Sequence, residues 1–160
     1  MPRIRVLPLA LATIVAGCGG GSRAISLPAE LPQHGFGAPG DAVRVSLVHT
    51  YSDFTGKFRD ARSGAVVEKG LVWEFADPAP FWACFDGAVT KTFAAGDLPG
   101  AKAVLTIQAG PRTLWFHAYR GWASLEAPGA DGKTTGGDWR FSPEASDRVV
   151  ELLNRTPPVK

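Results

Sequence analysis

The side chains with the chemistry for acyl transfer are few in this 160-residue sequence. Cys84 is the candidate nucleophile. His117 or His49 would serve as its general base, and Asp86 as the acid that orients that base. A reactive thiol needs a neighbouring base or a helix N-terminus, whereas the neighbours of Cys84 in residues 81–85 are aromatic. We therefore interpret Cys84 as a small buried hydrophobic residue, assign no catalytic residue, and keep a hydrolase that uses Cys84 as an alternative.

A second motif has the pattern of a phosphate-binding loop. Residues 127–134 read Ala-Pro-Gly-Ala-Asp-Gly-Lys-Thr, with alanine in place of the usual first glycine. Such a loop binds phosphate at the N-terminus of a helix, and residues 135–138 (TGGD) do not favour a helix start. We interpret the segment as a flexible loop and predict no nucleotide and no cofactor. The three histidines show no ligand spacing, which predicts no metal site, while a glycosidase-like pair among the acids stays open.

An aromatic cluster is the remaining feature. The alternation over residues 113–119 places Trp115, His117 and Tyr119 on one face of a predicted strand, and Trp122 follows closely. Large rigid rings supply contact area at a low cost in conformational entropy. These four residues are our candidate binding surface for a glycan, a peptide or a lipid chain. The alternative is that the same rings belong to the core.

The N-terminal segment has the form of an export signal. Arg3 and Arg5 precede an apolar run over residues 6–15, which is about half the length needed to cross a bilayer. Val15-Ala16-Gly17-Cys18 resembles the lipobox of bacterial lipoproteins. The resemblance implies diacylation of the Cys18 thiol, cleavage before Cys18 and acylation of the new amino terminus. An ordinary secretory signal is the alternative.

The resemblance also implies a location. Gly19 rather than aspartate follows the cysteine, which in lipoproteins of enteric type implies sorting to the outer membrane, facing the periplasm. We therefore divide the chain into a signal peptide (1–17), a lipidated flexible tether (18–40) and one globular domain (41–160). The tether is rich in glycine and proline, and its extended limit is about 65 Å.

The charge balance narrows the choice of partners. Removing residues 1–17 lowers Lys plus Arg from 17 to 15, equal to the 15 acidic residues. A neutral chain without a basic run does not favour nucleic acid, so the membrane contact should come through the lipid at Cys18. Because Cys18 is used in this way, Cys84 has no partner for an intrachain disulfide.

Short strands and one helix follow from the periodicity. Residues 41–51 alternate cleanly with His49 on the apolar face, and 66–75 forms a further strand. Residues 81–93 fit either a helical face or strands, and we choose strand. The other predicted elements are a hairpin of 101–108 and 113–119, a short strand at 139–141 and a helix from Ser142-Pro143-Glu144 to Arg155.

These elements predict a mainly β (α+β) domain, an antiparallel sandwich or barrel-like sheet with one C-terminal α-helix packed on it. The function we expect is a lipid-anchored envelope lipoprotein with a non-enzymatic binding or structural role toward an envelope protein or glycan. A hydrolase that uses Cys84, or a small-ligand carrier, is the alternative.

Overall fold

The positions of the helices and strands come from a computed structural model. It describes the following residues: 27–30, 32, 38, 40–51, 54–86, 89–92, 104–119, 122–126, 138–141 and 143–160. The described elements are, in chain order, α1 (Leu27–Glu30), β1 (Val43–Leu47), β2 (Val72–Phe75), α2 (Ala79–Ala83), β3 (Val89–Thr92), β4 (Leu105–Ala109), β5 (Arg112–Tyr119), β6 (Trp122–Glu126), β7 (Asp138–Phe141) and α3 (Pro143–Arg155). The predicted signal peptide, Cys18, most of the predicted tether and the loop at 127–137 lie outside the described residues.

All seven strands belong to one antiparallel sheet. Their order is β2-β1-β4-β5-β6-β7-β3, so β3 joins the far edge beside β7 although it precedes β4 in the chain. The fold class is confirmed: the protein is mainly β, with an antiparallel sheet and a C-terminal helix.

One face of this sheet, which we call the inner face, is continuously apolar. In β1 the side chains of Val43, Val45 and Leu47 are at most 2% exposed and alternate with more exposed residues. The register places Val45 between Trp73 of β2 and Ile107 of β4, both fully buried. Alternation with period two therefore directs the apolar set of each strand to the same side.

The helix α3 packs its apolar side against this core. Ala145, Val149 and Leu153 share one helical face and are fully buried, and α3 contacts β6. The helix begins at Pro143, where the missing amide hydrogen costs nothing, as the sequence predicted. Just beyond its end, the indole Nε1 of Trp73 donates a hydrogen bond to the carbonyl of Thr156 at 3.0 Å.

The prediction of a strand over residues 81–93 is wrong in its first half. Residues 79–83 form α2, a turn continues to Asp86, and Val89–Thr92 is a strand. Phe81, Trp82 and Phe85 are buried from the helical turn, with the ring centroid of Phe81 5.5 Å from that of Phe75. A helical turn forms here because its spacing directs all three rings inward. A strand would direct the neighbouring residues Phe81 and Trp82 to opposite faces.

The predicted placement of His49 on the apolar face is also wrong. β1 ends at Leu47, and the amides of Val48 and His49 both donate to the carbonyl of Val104, at 2.9 and 3.5 Å. Two residues facing one partner form a bulge, which shifts the alternation by one position. His49 is therefore exposed, and Thr50 is buried in its place.

Two strand boundaries differ from the prediction. The segment 66–75 is regular only over β2, because Gly70 has φ +90° and Val66 forms an isolated bridge with Arg59. Strand β6 was not predicted; it completes the hairpin that begins with β5. The C-terminal residues cover part of the β2 edge, where the amide of Val72 donates to Lys160 and its carbonyl accepts from Val159.

Asn154 should contribute measurably to stability. Its Oδ1 accepts a hydrogen bond from the amide of Arg59, and its Nδ2 donates to the carbonyl of Lys57, both at 2.8 Å. Because these bonds attach α3 to the 54–67 segment, N154A should lower the free energy of unfolding by about 1–2 kcal/mol in urea denaturation. The matched control E151A removes only an exposed pair with Arg155 and should cost about 0.5 kcal/mol or less. Equal effects of the two variants would contradict this role.

Candidate functional site

The face of the sheet opposite the core, which we call the outer face, carries a row of polar side chains. Arg44 of β1 lies between Glu74 of β2 and Gln108 of β4 in the register, and all three are exposed. The guanidinium Nη1 of Arg44 lies 2.9 Å from Oε1 of Glu74. Half of each of these two side chains is accessible to solvent, so the pair retains hydrogen-bonding capacity for a ligand.

This polar row borders an open cleft of about 480 Å³. The cleft lies where β1 begins and where β2 and β4 end. Asp41 stands at its rim, and its Oδ2 accepts a hydrogen bond from the amide of Ala38 at 2.9 Å. Small residues form part of the wall: Ala42, Ala76 and Gly110. The cleft thus combines a short apolar surface with two carboxylates, one guanidinium and one amide.

The residues that line the cleft limit its chemistry. They include no serine, threonine, cysteine, histidine or lysine, so the candidate nucleophiles in the cleft are limited to the carboxylates of Asp41 and Glu74. The carboxylate of Glu74 is engaged by Arg44. The arrangement is suited to hydrogen bonding with a polar group, as in the recognition of a peptide or a sugar.

No sequence motif marks this cleft. Arg44 and Glu74 are charged residues within the predicted strands 41–51 and 66–75, and a charge in such a strand indicates only solvent exposure. No local signal shows that β2 and β4 flank β1, because strand order is decided by long-range pairing.

Two residues of the predicted aromatic cluster, Trp115 and His117, lie on the outer face of the next strands. Trp115 is partly exposed, and its ring centroid lies 6.2 Å from that of His117 in an edge-on arrangement. His117 itself is 3% exposed, so its ring is not accessible to a partner. The backbone register sets Tyr119 opposite Trp122, and the side chains of these two lie outside the described residues.

Cys84 sits in a different environment, on the inner side of the sheet. It is 7% exposed, and its Sγ donates to the carbonyl of Pro80 at 3.6 Å. Burial raises the pKa of the Cys84 thiol, and nearby Arg148 only partly opposes this effect. The thiol is therefore held in its protonated, weakly nucleophilic form.

The structure places Cys84 and His117 of the predicted triad on opposite sides of the sheet. The ring centroid of Phe85, next to Cys84, lies 5.2 Å from that of Phe141 on the inner face. His117 alternates with buried Phe116 and faces the other side of the sheet. Asp86 is exposed, with its carbonyl accepting a hydrogen bond from Arg148.

The described part of the chain shows neither a metal-binding cluster nor a membrane-spanning helix. Within it, no group of three or more His, Cys, Asp or Glu side chains is placed to hold a metal ion. Nor does any helix in the described ranges combine the length and hydrophobicity needed to cross a bilayer. Comparison with protein-family models, curated proteins and solved structures gives no match to this chain.

Cys84 should be inert in the folded protein. In a C18S chain at pH 7, iodoacetamide should alkylate Cys84 about a hundredfold more slowly than in the urea-unfolded chain, because access requires an opening that costs about 3 kcal/mol. Equal rates would show an accessible thiol.

The raised pKa of Cys84 also predicts a pH dependence of stability. The folded thiol keeps its proton where the unfolded thiol, with a pKa of about 8.5, loses it. The contribution of Cys84 to the free energy of unfolding should therefore stay constant at a pH below about 8.5 and decrease at a higher pH. C84A, which removes the titrating group, should lose less stability between neutral and alkaline pH than the parent chain.

Proposed function

We propose that this chain is a lipid-anchored lipoprotein of the cell envelope, seated in the outer membrane and facing the periplasm, whose domain binds an envelope protein or glycan without catalysing a reaction. The sequence Val15-Ala16-Gly17-Cys18 supports the anchor. The outer-face cleft supports the binding role.

The anchor would hold the domain permanently. Each buried methylene contributes about 0.8 kcal/mol, so one acyl chain binds a membrane only marginally, whereas two or more bind it stably. With three acyl chains on Cys18, the protein would not leave the bilayer on its own. The equal numbers of acidic and basic residues after position 17 supply no electrostatic attraction that could replace the lipid.

The cleft is the single observation that carries the binding role. The inner face is buried in the core, so a partner can bind only to another surface of the domain. On the outer face Arg44, Glu74 and Gln108 offer donors and acceptors beside a small apolar surface, in a volume that fits one or two side chains or sugar units. Partly exposed Trp115 supplies an aromatic surface on the same face of the sheet.

The environment of Cys84 weighs against the hydrolase alternative. A nucleophilic cysteine needs a base within hydrogen-bond reach, and the thiol of Cys84 instead donates to a backbone carbonyl. A small-ligand carrier would need a large cavity beneath Trp73 and Trp115; Trp73 is fully buried within the core cluster, and Trp115 is partly exposed.

Mass spectrometry of the cell-made protein tests the anchor. The mature N-terminal peptide should begin at Cys18 and carry three acyl chains, and the protein should fractionate with outer membranes. C18S should leave the chain unacylated and lose membrane retention, since no other attachment is proposed. An intact leader, or an unmodified Cys18 in the parent protein, would overturn the proposal.

In-cell photo-crosslinking tests the binding role. A photoreactive residue at Gln108 in the cleft should give one discrete adduct with an envelope component, and the same residue at exposed Arg62 in the 59–66 hairpin should not. R44A should lower the adduct yield about fivefold, equivalent to about 1 kcal/mol for a lost polar contact. The same adducts from Gln108 and Arg62 would exclude the cleft as the binding surface.

A further inference from the structure

Leu27 attaches the N-terminal segment to the domain well before the first strand. It is 1% exposed and belongs to the hydrophobic cluster that includes Val43 and Trp73. Ala29, two positions later in α1, is exposed. One side of this helical turn therefore contributes to the core while the other faces solvent.

This burial changes the length of chain that can act as a tether. Sequence analysis assigned residues 18–40 to the tether, but Leu27 lies inside that range and inside the core. Only eight residues, 19–26, separate Cys18 from Leu27. Nine Cα-to-Cα steps span at most about 30 Å, against about 65 Å for the whole predicted tether.

We propose that Leu27 clips the tether to the domain, so that the lipid anchor holds the domain beside the bilayer by eight residues and presents its cleft to partners at the same membrane. This inference rests on the proposed acylation of Cys18. The near neutrality of the chain beyond residue 17 favours a membrane protein over anionic headgroups as that partner, because headgroup binding needs a basic patch.

The distance to the bilayer sets the kind of partner. A folded domain of this size has a radius of gyration of about 14 Å, so the clipped domain stays within about 70 Å of the headgroups. A released tether would let it reach about 35 Å farther. The clip therefore confines binding to components seated in, or held close to, the membrane that carries the anchor.

Thiol labelling tests the clip independently of the lipid. In a C18S chain, L27C should be alkylated about tenfold more slowly than A29C, because position 27 is buried and position 29 is exposed. Peptide mapping separates both from buried Cys84. Equal labelling of L27C and A29C would overturn the clip, whether or not the natural protein is acylated.

Energy transfer on membranes tests the reach. A donor on V66C, a half-exposed site, is measured against a headgroup acceptor in phosphatidylcholine vesicles carrying the acylated protein. L27S should lower the transfer about twofold, since the root-mean-square span of the free tether grows from roughly 16 Å to roughly 25 Å. A29S is the matched control and should leave the transfer unchanged.

A longer tether calibrates this measurement. Inserting about a dozen Gly and Ser residues after Gly21 leaves the core untouched and should give the same low transfer as L27S. The inference would be overturned if a folded L27S protein gave the same energy transfer as the parent protein while the insertion variant gave less. If L27S fails to fold, the labelling rates of L27C and A29C decide. An unacylated Cys18 in the parent protein would instead refute the proposed function. The burial of Leu27 would then be tested by the labelling rates of L27C and A29C alone.

Discussion

A single apolar row across five neighbouring strands is the constraint on which the rest of this structure depends. The register places these residues side by side, each at most 2% exposed: Leu47, Leu105, Phe116, Leu125 and Trp139. Such a surface is stable only when it is covered, because each large apolar side chain removed from water contributes about 1.5–3 kcal/mol. The helices and the 54–58 turn are therefore arranged to cover it, with Phe54 against Phe116 at 5.6 Å.

Covering the inner face leaves the polar row of the outer face exposed for recognition. The two faces alternate residue by residue along each strand, so the choice of side for Phe116 also decides the side of Trp115 and His117. This alternation places the polar row of Arg44, Glu74 and Gln108 on the outer face, away from the helices. It also separates Cys84 from His117 by the thickness of the sheet.

The same core extends its influence to the N-terminal segment. Leu27 contributes to it from outside the sheet, one helical turn in a stretch whose glycines and prolines favour irregular chain. Local propensity disfavours structure there, and burial of one leucine opposes it. If Cys18 is acylated as proposed, that contact relates the packing of the core to the distance between the domain and the membrane.

The sequence by itself determined the elements whose periodicity is local. The alternation from Val43 to Leu47, the β4–β5 hairpin and the helix from Pro143 to Arg155 are read correctly because each pattern is complete within a dozen residues. The lipobox at Cys18 is likewise a local signal, and the acylation it implies stays a prediction.

Only the tertiary structure decided features that depend on distant residues. The bulge at Val48 and His49 exists because both amides bond to Val104, and the turn that follows α2 is held by the ring of Phe85 against that of Phe141. The cleft needs three strands brought side by side, and the burial of Leu27 needs the core assembled first. These contacts join residues dozens of positions apart, and chain-local propensity holds no information about which distant partner a residue will meet.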